Sequence, residues 1–256
     1  MKRVVLSLAI LALVGTNAHA TSHQNQGTVA VNLGTADNFA VLAGSGITNV
    51  SAGTRIAGDV GSAPTPSVTG LLQSQVDGVL YLSSDPETTQ AQADLTTGYN
   101  DAAGAPCGSD LTGIDLGGLT LVPGVYCFSS SAQLTGTLTL DAQGNTKSQW
   151  IFQIGSTLTT ASDSKVLISY YGDNQQPHAI RKCARGCGVY WQIGSSATIG
   201  AGTQFAGIMM ANTSITLNGG VDLGKALALN GAVTISDQEK IEGAPCDNGT
   251  PGHSGR

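Results

Sequence analysis

Charge is what this chain most lacks. Only 11% of its 256 residues are Asp, Glu, Lys or Arg, with 11 basic against 17 acidic side chains. A nucleic-acid partner needs a basic stripe, and none is present. Disorder goes with high net charge and low hydrophobicity, whereas 41% of these residues are hydrophobic. Aromatics are also scarce, at 5%. Beyond residue 20 no apolar run is long enough to cross a bilayer as a helix, so no membrane partner is expected. Glycoside chemistry needs paired carboxylates in a groove, but Asp59, Asp222 and Asp237 stand near expected strand ends without an evident partner. Beyond the first twenty residues the histidines are His23, His178 and His253. A Ser–His–Asp site would have to use His178, in a polar loop beside Pro177. Gly117-Gly118 lacks the context of a phosphate loop. No catalytic residue and no cofactor is therefore assigned, and an enzyme is not expected.

The one long apolar run stands at the start. Lys2 and Arg3 precede an apolar stretch over 4–14, and Ala18-His19-Ala20 follows. This is the pattern of a secretory signal peptide cleaved after Ala20. The expected organisation is a leader over 1–20, a single domain over 21–246 and a loose Gly-rich tail over 247–256. In an exported chain, Cys107, Cys127, Cys183, Cys187 and Cys246 read first as disulfide candidates. Cys107 and Cys127 flank a compact Gly-rich segment and are the favoured pair. Of the other three, one must stay odd, and the sequence does not say which. Cys183-x3-Cys187 has no second ligand pair at suitable spacing, so no metal site is assigned. Asn49-Val50-Ser51, Asn212-Thr213-Ser214 and Asn248-Gly249-Thr250 are glycosylation sequons, relevant only in a eukaryotic secretory route.

What is abundant is glycine, 35 residues of it, together with an internal repeat. Ala197-Thr198-Ile199 recurs as Ile215-Thr216-Leu217 and again as Val233-Thr234-Ile235, with the threonines eighteen residues apart. Phe205 with Leu223, Gly202 with Gly220 and Asn212 with Asn230 keep the same step. A constant period of this kind marks a solenoid. Strand alternation sends Ile215 and Leu217 inward and Thr216 outward. Thr198 and Thr234 follow in the same register, so successive coils stack the three threonines in a ladder. Gly46-Ile47-Thr48, Thr137-Leu138-Thr139-Leu140 and Ser156-Thr157-Leu158-Thr159 show the same alternation less regularly. The paired Asn212 and Asn230 read as turn chemistry. The segments 207–211 and 225–229 are apolar on both faces or nearly so, and strands of that kind need cover outside as well as inside.

One segment can supply that cover. Residues 85–103 read as a helix, with Asp85 as N-cap, Pro86 at the first helical position and Glu87 in the first turn. Ala91, Leu95, Tyr99 and Ala102 recur at helical spacing, and Gly104 and Pro106 end the run.

The order of several longer motifs carries a resemblance. They are Val31-Asn32-Leu33-Gly34-Thr35-Ala36-Asp37-Asn38-Phe39-Ala40-Val41-Leu42-Ala43, Ile56-Ala57-Gly58-Asp59-Val60-Gly61, Leu121-Val122-Pro123-Gly124-Val125-Tyr126, Trp150-Ile151-Phe152-Gln153-Ile154-Gly155 and Val189-Tyr190-Trp191-Gln192-Ile193-Gly194. Over 28–237 the chain resembles the microbial ice-binding (antifreeze) proteins. The resemblance implies a discontinuous right-handed β-solenoid of triangular cross-section, with the helix along one face and one uncovered face that adsorbs to ice. Some members carry Thr–Ala/Gly–x–Thr/Asn signatures. Thr35-Ala36-Asp37-Asn38 fits that pattern, but Asp37 points to a turn, and Ser51-Ala52-Gly53-Thr54 departs from it by a serine. Resemblance and alternation together place Thr48, Ser51, Thr54, Thr157, Thr159, Thr198, Ser214, Thr216 and Thr234 on the ice-binding face of a secreted monomer. The alternatives are a surface adhesin or matrix protein and, further off, a polysaccharide-active β-helix enzyme.

Overall fold

The computed structural model describes residues 29–145, 147–169 and 188–243. The expected leader, Cys183, Cys187, Cys246, His23, His178, His253, the Asn248 sequon and the tail lie outside the described residues. The strands pair in parallel and climb as stacked coils, each coil contributing to three sides.

The first side is a sheet of seven short strands. In spatial order they are Ala132–Leu134, Leu158–Thr160, Ala197–Ile199, Ile215–Leu217, Ala232–Ile235, Gly46–Asn49 and Val68–Thr69. The order is discontinuous in the way the resemblance implies: N-terminal strands continue the stack beyond the last C-terminal one. The chain then returns to the opposite end through the helix Pro86–Ala103.

The other two sides share one sheet, because the strands Gln204–Ala211 and Asp222–Ala228 run around a corner. Their pairing slips between Phe205 and Ile208, where Gly207 adopts a φ of 126°. A side chain at Gly207 would also come within 2.6 Å of the Trp191 ring nitrogen, so this corner requires glycine.

Inside the coils, alternation stacks like on like. Ile47, Val233 and Ile215 form one buried column, and Ile235, Leu217 and Ile199 form another. Four of the aromatics form one pile inside the coils. Phe152 lies 3.9 Å centroid to centroid from Trp191 and 5.5 Å from Tyr126, and Trp191 lies 4.7 Å from Phe205.

The helix forms a second apolar layer over one side. Ala91, Leu95 and Ala102 pack on Ile151, Ile208, Met210 and Leu227, which meets the need of those two-faced apolar strands. Full burial of a side chain such as Leu95 contributes about 2 kcal/mol. Asp85 caps the helix by accepting from the Glu87 amide at 2.8 Å. Gln153 Nε2 donates to the carbonyls of Ala102 and Ala105 at 2.8 and 2.7 Å, closing the other end. Cys107 and Cys127 form a disulfide, with 6.0 Å between Cα atoms, that ties the segment after the helix to the strand Gly124–Phe128.

At both ends of the stack, side chains engage some of the backbone groups. Gln73 Nε2 donates to the Gly78 carbonyl at 2.8 Å at one end. At the other, Asp115 Oδ1 accepts from the amides of Gly117 and Thr135 at 2.8 and 2.9 Å. Satisfying edge groups internally removes a template for pairing with another chain.

Candidate functional site

The seven-strand side presents one outward residue per coil in unbroken register: Gln133, Thr159, Thr198, Thr216, Thr234, Thr48 and Thr69. Six of the seven are threonine. Thr159, Thr198, Thr48 and Thr69 are exposed, while Thr216 and Thr234 in mid-ladder are half-shielded by their neighbours. Successive rungs are about 4.8 Å apart, so the ladder runs for roughly 29 Å. None of these outward positions carries a charge.

Beside the ladder runs a second file of small residues, two positions earlier in each coil. It includes Ser131, Thr157, Ser196, Ser214 and Ala232, and its members are cross-linked. Thr157 Oγ1 donates to Ser131 Oγ at 2.8 Å, the Ser214 amide donates to Ser196 Oγ at 3.3 Å, and the Ala232 amide donates to Ser214 Oγ at 3.2 Å. Thr157 and Ser214 therefore sit at the rim with hydroxyls already engaged between coils. Asn212 and Asn230 form an outer rail, with Asn230 Nδ2 donating to Asn212 Oδ1 at 3.0 Å.

The other two sides differ in kind. One is covered by the helix. The other aligns Lys165, Gln204, Asp222, Lys240 and Arg55 in register, and is charged. Thr137 and Thr139 belong to the strand Thr137–Asp141 on that charged side. The threonine side is thus the one bare, uncharged side of the described residues.

Three expectations need correction. Thr54 is fully buried, and its hydroxyl donates to Asn49 Oδ1 at 2.8 Å. It leaves the surface set because strand alternation ends at Asn49 and the chain turns a corner there. Ser51 lies in that corner, donating to Asp237 Oδ1 at 2.9 Å and standing off the ladder. Asn49 is 3% exposed and spends its amide hydrogens on the carbonyls of Ser51 and Gly70, so it cannot serve as a glycan acceptor in the folded chain. Thr35-Ala36-Asp37-Asn38 lies in a 3-10 turn, as Asp37 suggested. The amide and hydroxyl of Thr35 both donate to Asp94 Oδ2 at 2.7 Å and hold that carboxyl below its usual range.

Sequence reasoning missed three things. Thr69 extends the ladder by one rung. It follows Thr48 through a longer coil than the eighteen-residue period, but Ser67-Val68-Thr69 does alternate as the other strands do. Gln133 occupies the opposite end of the ladder. Lys225, within an otherwise apolar run, is buried and pairs with Asp37 Oδ1 at 2.6 Å, and it also donates to the Asp37 carbonyl. Burial pushes its ammonium below the ordinary range, against the pull of the Asp37 carboxylate.

Together these features define a class: a discontinuous parallel β-solenoid with one face left bare, lined by threonine and free of charge. The chain belongs to the Ice-binding-like family, which it matches over residues 41–241. It is 47% identical over 243 residues to an ice-binding protein of Nostoc sp. (strain HG1), covering 94% of this chain and 82% of that one. An ice-binding protein of Colwellia sp. is 30% identical over 260 residues, covering 96% and 94%. Among solved structures, an ice binding protein from an Antarctic Biological Consortium superposes with a TM-score of 0.72 at 37% identity, covering 92% of this chain and 95% of that chain. An ice-binding protein from the Antarctic ascomycete Antarctomyces psychrotrophicus gives a TM-score of 0.70 at 33% identity, covering 82% and 96%.

Proposed function

We propose that this protein is a secreted, monomeric ice binder that adsorbs to ice through the threonine ladder, producing thermal hysteresis and inhibiting recrystallisation. The observation that carries the reading is the register of six threonines on a side with no outward charge. Ice offers neither charge nor pocket, only a lattice of water. A binder has to hold surface water in an ordered array over a wide area. Threonine suits that task because its methyl restrains neighbouring water while its hydroxyl anchors it. Its β-branching also limits χ1 before contact. The parallel sheet holds the rungs in place, which lowers the ordering cost on binding. A charged side chain would carry a hydration shell unlike ice. The outward residues here are Thr48, Thr69, Thr159, Thr198, Thr216 and Thr234, with Thr157 and Ser214 at the rim.

Action outside the cytoplasm is supported by the leader pattern over 1–20 and by the Cys107–Cys127 disulfide. The described residues include no helix long and apolar enough to cross a membrane.

The test is thermal hysteresis and ice-crystal shaping by the purified chain lacking residues 1–20. Faceting of a seed crystal with a measurable hysteresis gap is expected. A folded protein that leaves the crystal round and gives no gap would remove the reading.

A further inference from the structure

At the corner after each threonine strand, an inward side chain lies in one column: Ser164, Thr203, Val221, Glu239 and Thr54. Their register follows from the amides of Gln204, Asp222, Lys240 and Arg55, which donate in turn to the carbonyls of Ser164, Thr203, Val221 and Glu239. Most members satisfy a polar group of the coil that bears them or of its neighbour. Ser164 Oγ donates to the Leu134 carbonyl at 3.0 Å, Thr203 Oγ1 to the Gly200 carbonyl at 2.6 Å, and Thr54 Oγ1 to Asn49 Oδ1 at 2.8 Å.

Val221 has nothing to offer its corner. Glu239, one coil further on, is long enough to reach back. Its Oε1 accepts from the Gly219 amide at 2.9 Å and from the Asp237 amide at 3.0 Å. One oxygen therefore holds the corners that follow both Thr216 and Thr234. Glu239 is 1% exposed, and its Oε2 has no hydrogen-bond partner among the described residues.

We propose that Glu239 is a positioning residue of the threonine face: its buried carboxyl clamps two successive corners, so that the Thr216 and Thr234 rungs keep their alignment. A carboxyl oxygen has the lone pairs to accept both amides at once, and each of these buried donors would carry its full desolvation cost if left unmade.

The charged groups around it are already engaged. Asp237, on the same turn, accepts from Ser51. Arg55, on the next coil, donates to the carbonyls of Ala52 and Thr54. Lys240 pairs with Glu242, and Asp222 stands at the outward register position of the preceding coil. Burial pushes the Glu239 carboxyl above its usual range, with the backbone amides of Asp237, Gly219, Glu239 and Ser236 pulling the other way.

The clamp itself is tested without ice, and its effect on the face rests on the ice-binding reading. Melting temperature and thermal hysteresis are measured for the wild type, Glu239→Gln and Glu239→Ala. Glu239→Gln keeps an acceptor for both amides, so it should hold wild-type values. Glu239→Ala, with no acceptor, should lower both. An alanine variant as stable and as active as the wild type, or a glutamine variant that loses as much as the alanine one, would overturn the clamp. The expected order of melting temperatures with no hysteresis in any of the three proteins would support the clamp while removing ice as the ligand.

Discussion

Thr48 and Thr234 are direct strand partners, although one belongs to the first coil of the chain and the other to the last. The threonine ladder thus crosses the point where the solenoid is discontinuous. The face is assembled from two remote segments and extends one rung further, to Thr69. A long face therefore exists only once the N-terminal coil has docked.

Mid-ladder positions should matter most. Thr216→Tyr or Thr234→Tyr places a bulky ring among rungs about 4.8 Å apart, lifting the ice lattice off its neighbours. Most of the thermal hysteresis should be lost. The side chains point outward, so stability should move by less than about 1 kcal/mol. Thr69→Tyr, on the terminal rung, should cost clearly less activity. Hysteresis measured beside thermal melts checks all three, and full activity in both mid-ladder variants would sink the face assignment.

Buried and exposed threonines should separate in experiment. Thr54→Val deprives Asn49 Oδ1 of its donor inside the protein, a loss of about 1–3 kcal/mol. At a temperature where the variant stays folded its hysteresis should match the wild type. Thr159→Tyr should do the reverse, sparing the melt and lowering hysteresis. A Thr54→Val variant that melts normally but has lost its activity would return Thr54 to the ice-contacting set.

The contrast between these two threonines also shows what the sequence could express. Thr198, Thr216 and Thr234 were legible because three consecutive coils keep one length and every inward neighbour is aliphatic. Thr54 was misread because it follows a strand whose alternation stops at Asn49, and corners place polar side chains inside to satisfy backbone groups. Thr69 escaped the period because its coil is longer. The helix was legible from its cap and stripe, and the two-faced apolar strands announced their need of cover. The docking of Thr48 beside Thr234 has no local signature, since nothing in either strand names its partner. The order of motifs over the whole chain carried it instead. Lys225 was hidden for a related reason: its partner, Asp37, lies in a turn at the far end of the sequence.

The disulfide should act mainly through the unfolded chain. Joining Cys107 to Cys127 closes a loop of 20 residues, and a constraint of that size is worth about 3 kcal/mol. Cys107→Ser should lower the urea midpoint accordingly. The ladder lies on another side of the solenoid, so hysteresis in the cold should persist. Loss of activity without loss of stability would place this bridge in control of the face.

The pairing of Lys225 with Asp37 should be stabilising only by comparison with a broken pair. Asp37→Asn leaves a buried ammonium without its carboxylate. Removing one member of a buried pair costs about 3–5 kcal/mol, and because Asp37 is partly exposed a loss nearer ~2 kcal/mol is expected. Lys225→Met removes the cation and adds apolar surface beside the helix-side cluster, so the double variant should recover most of the loss. The pH dependence adds a second readout. Burial holds the Lys225 ammonium below its ordinary range, so the folded chain releases this proton before the unfolded chain does. Between the two values the unfolded state binds more protons, and stability rises with pH. Lys225→Met should abolish that alkaline rise. Denaturation midpoints of the four proteins across the alkaline range test both statements, and a double variant no more stable than Asp37→Asn would show that the pair contributes more than the hydrophobic contact that replaces it.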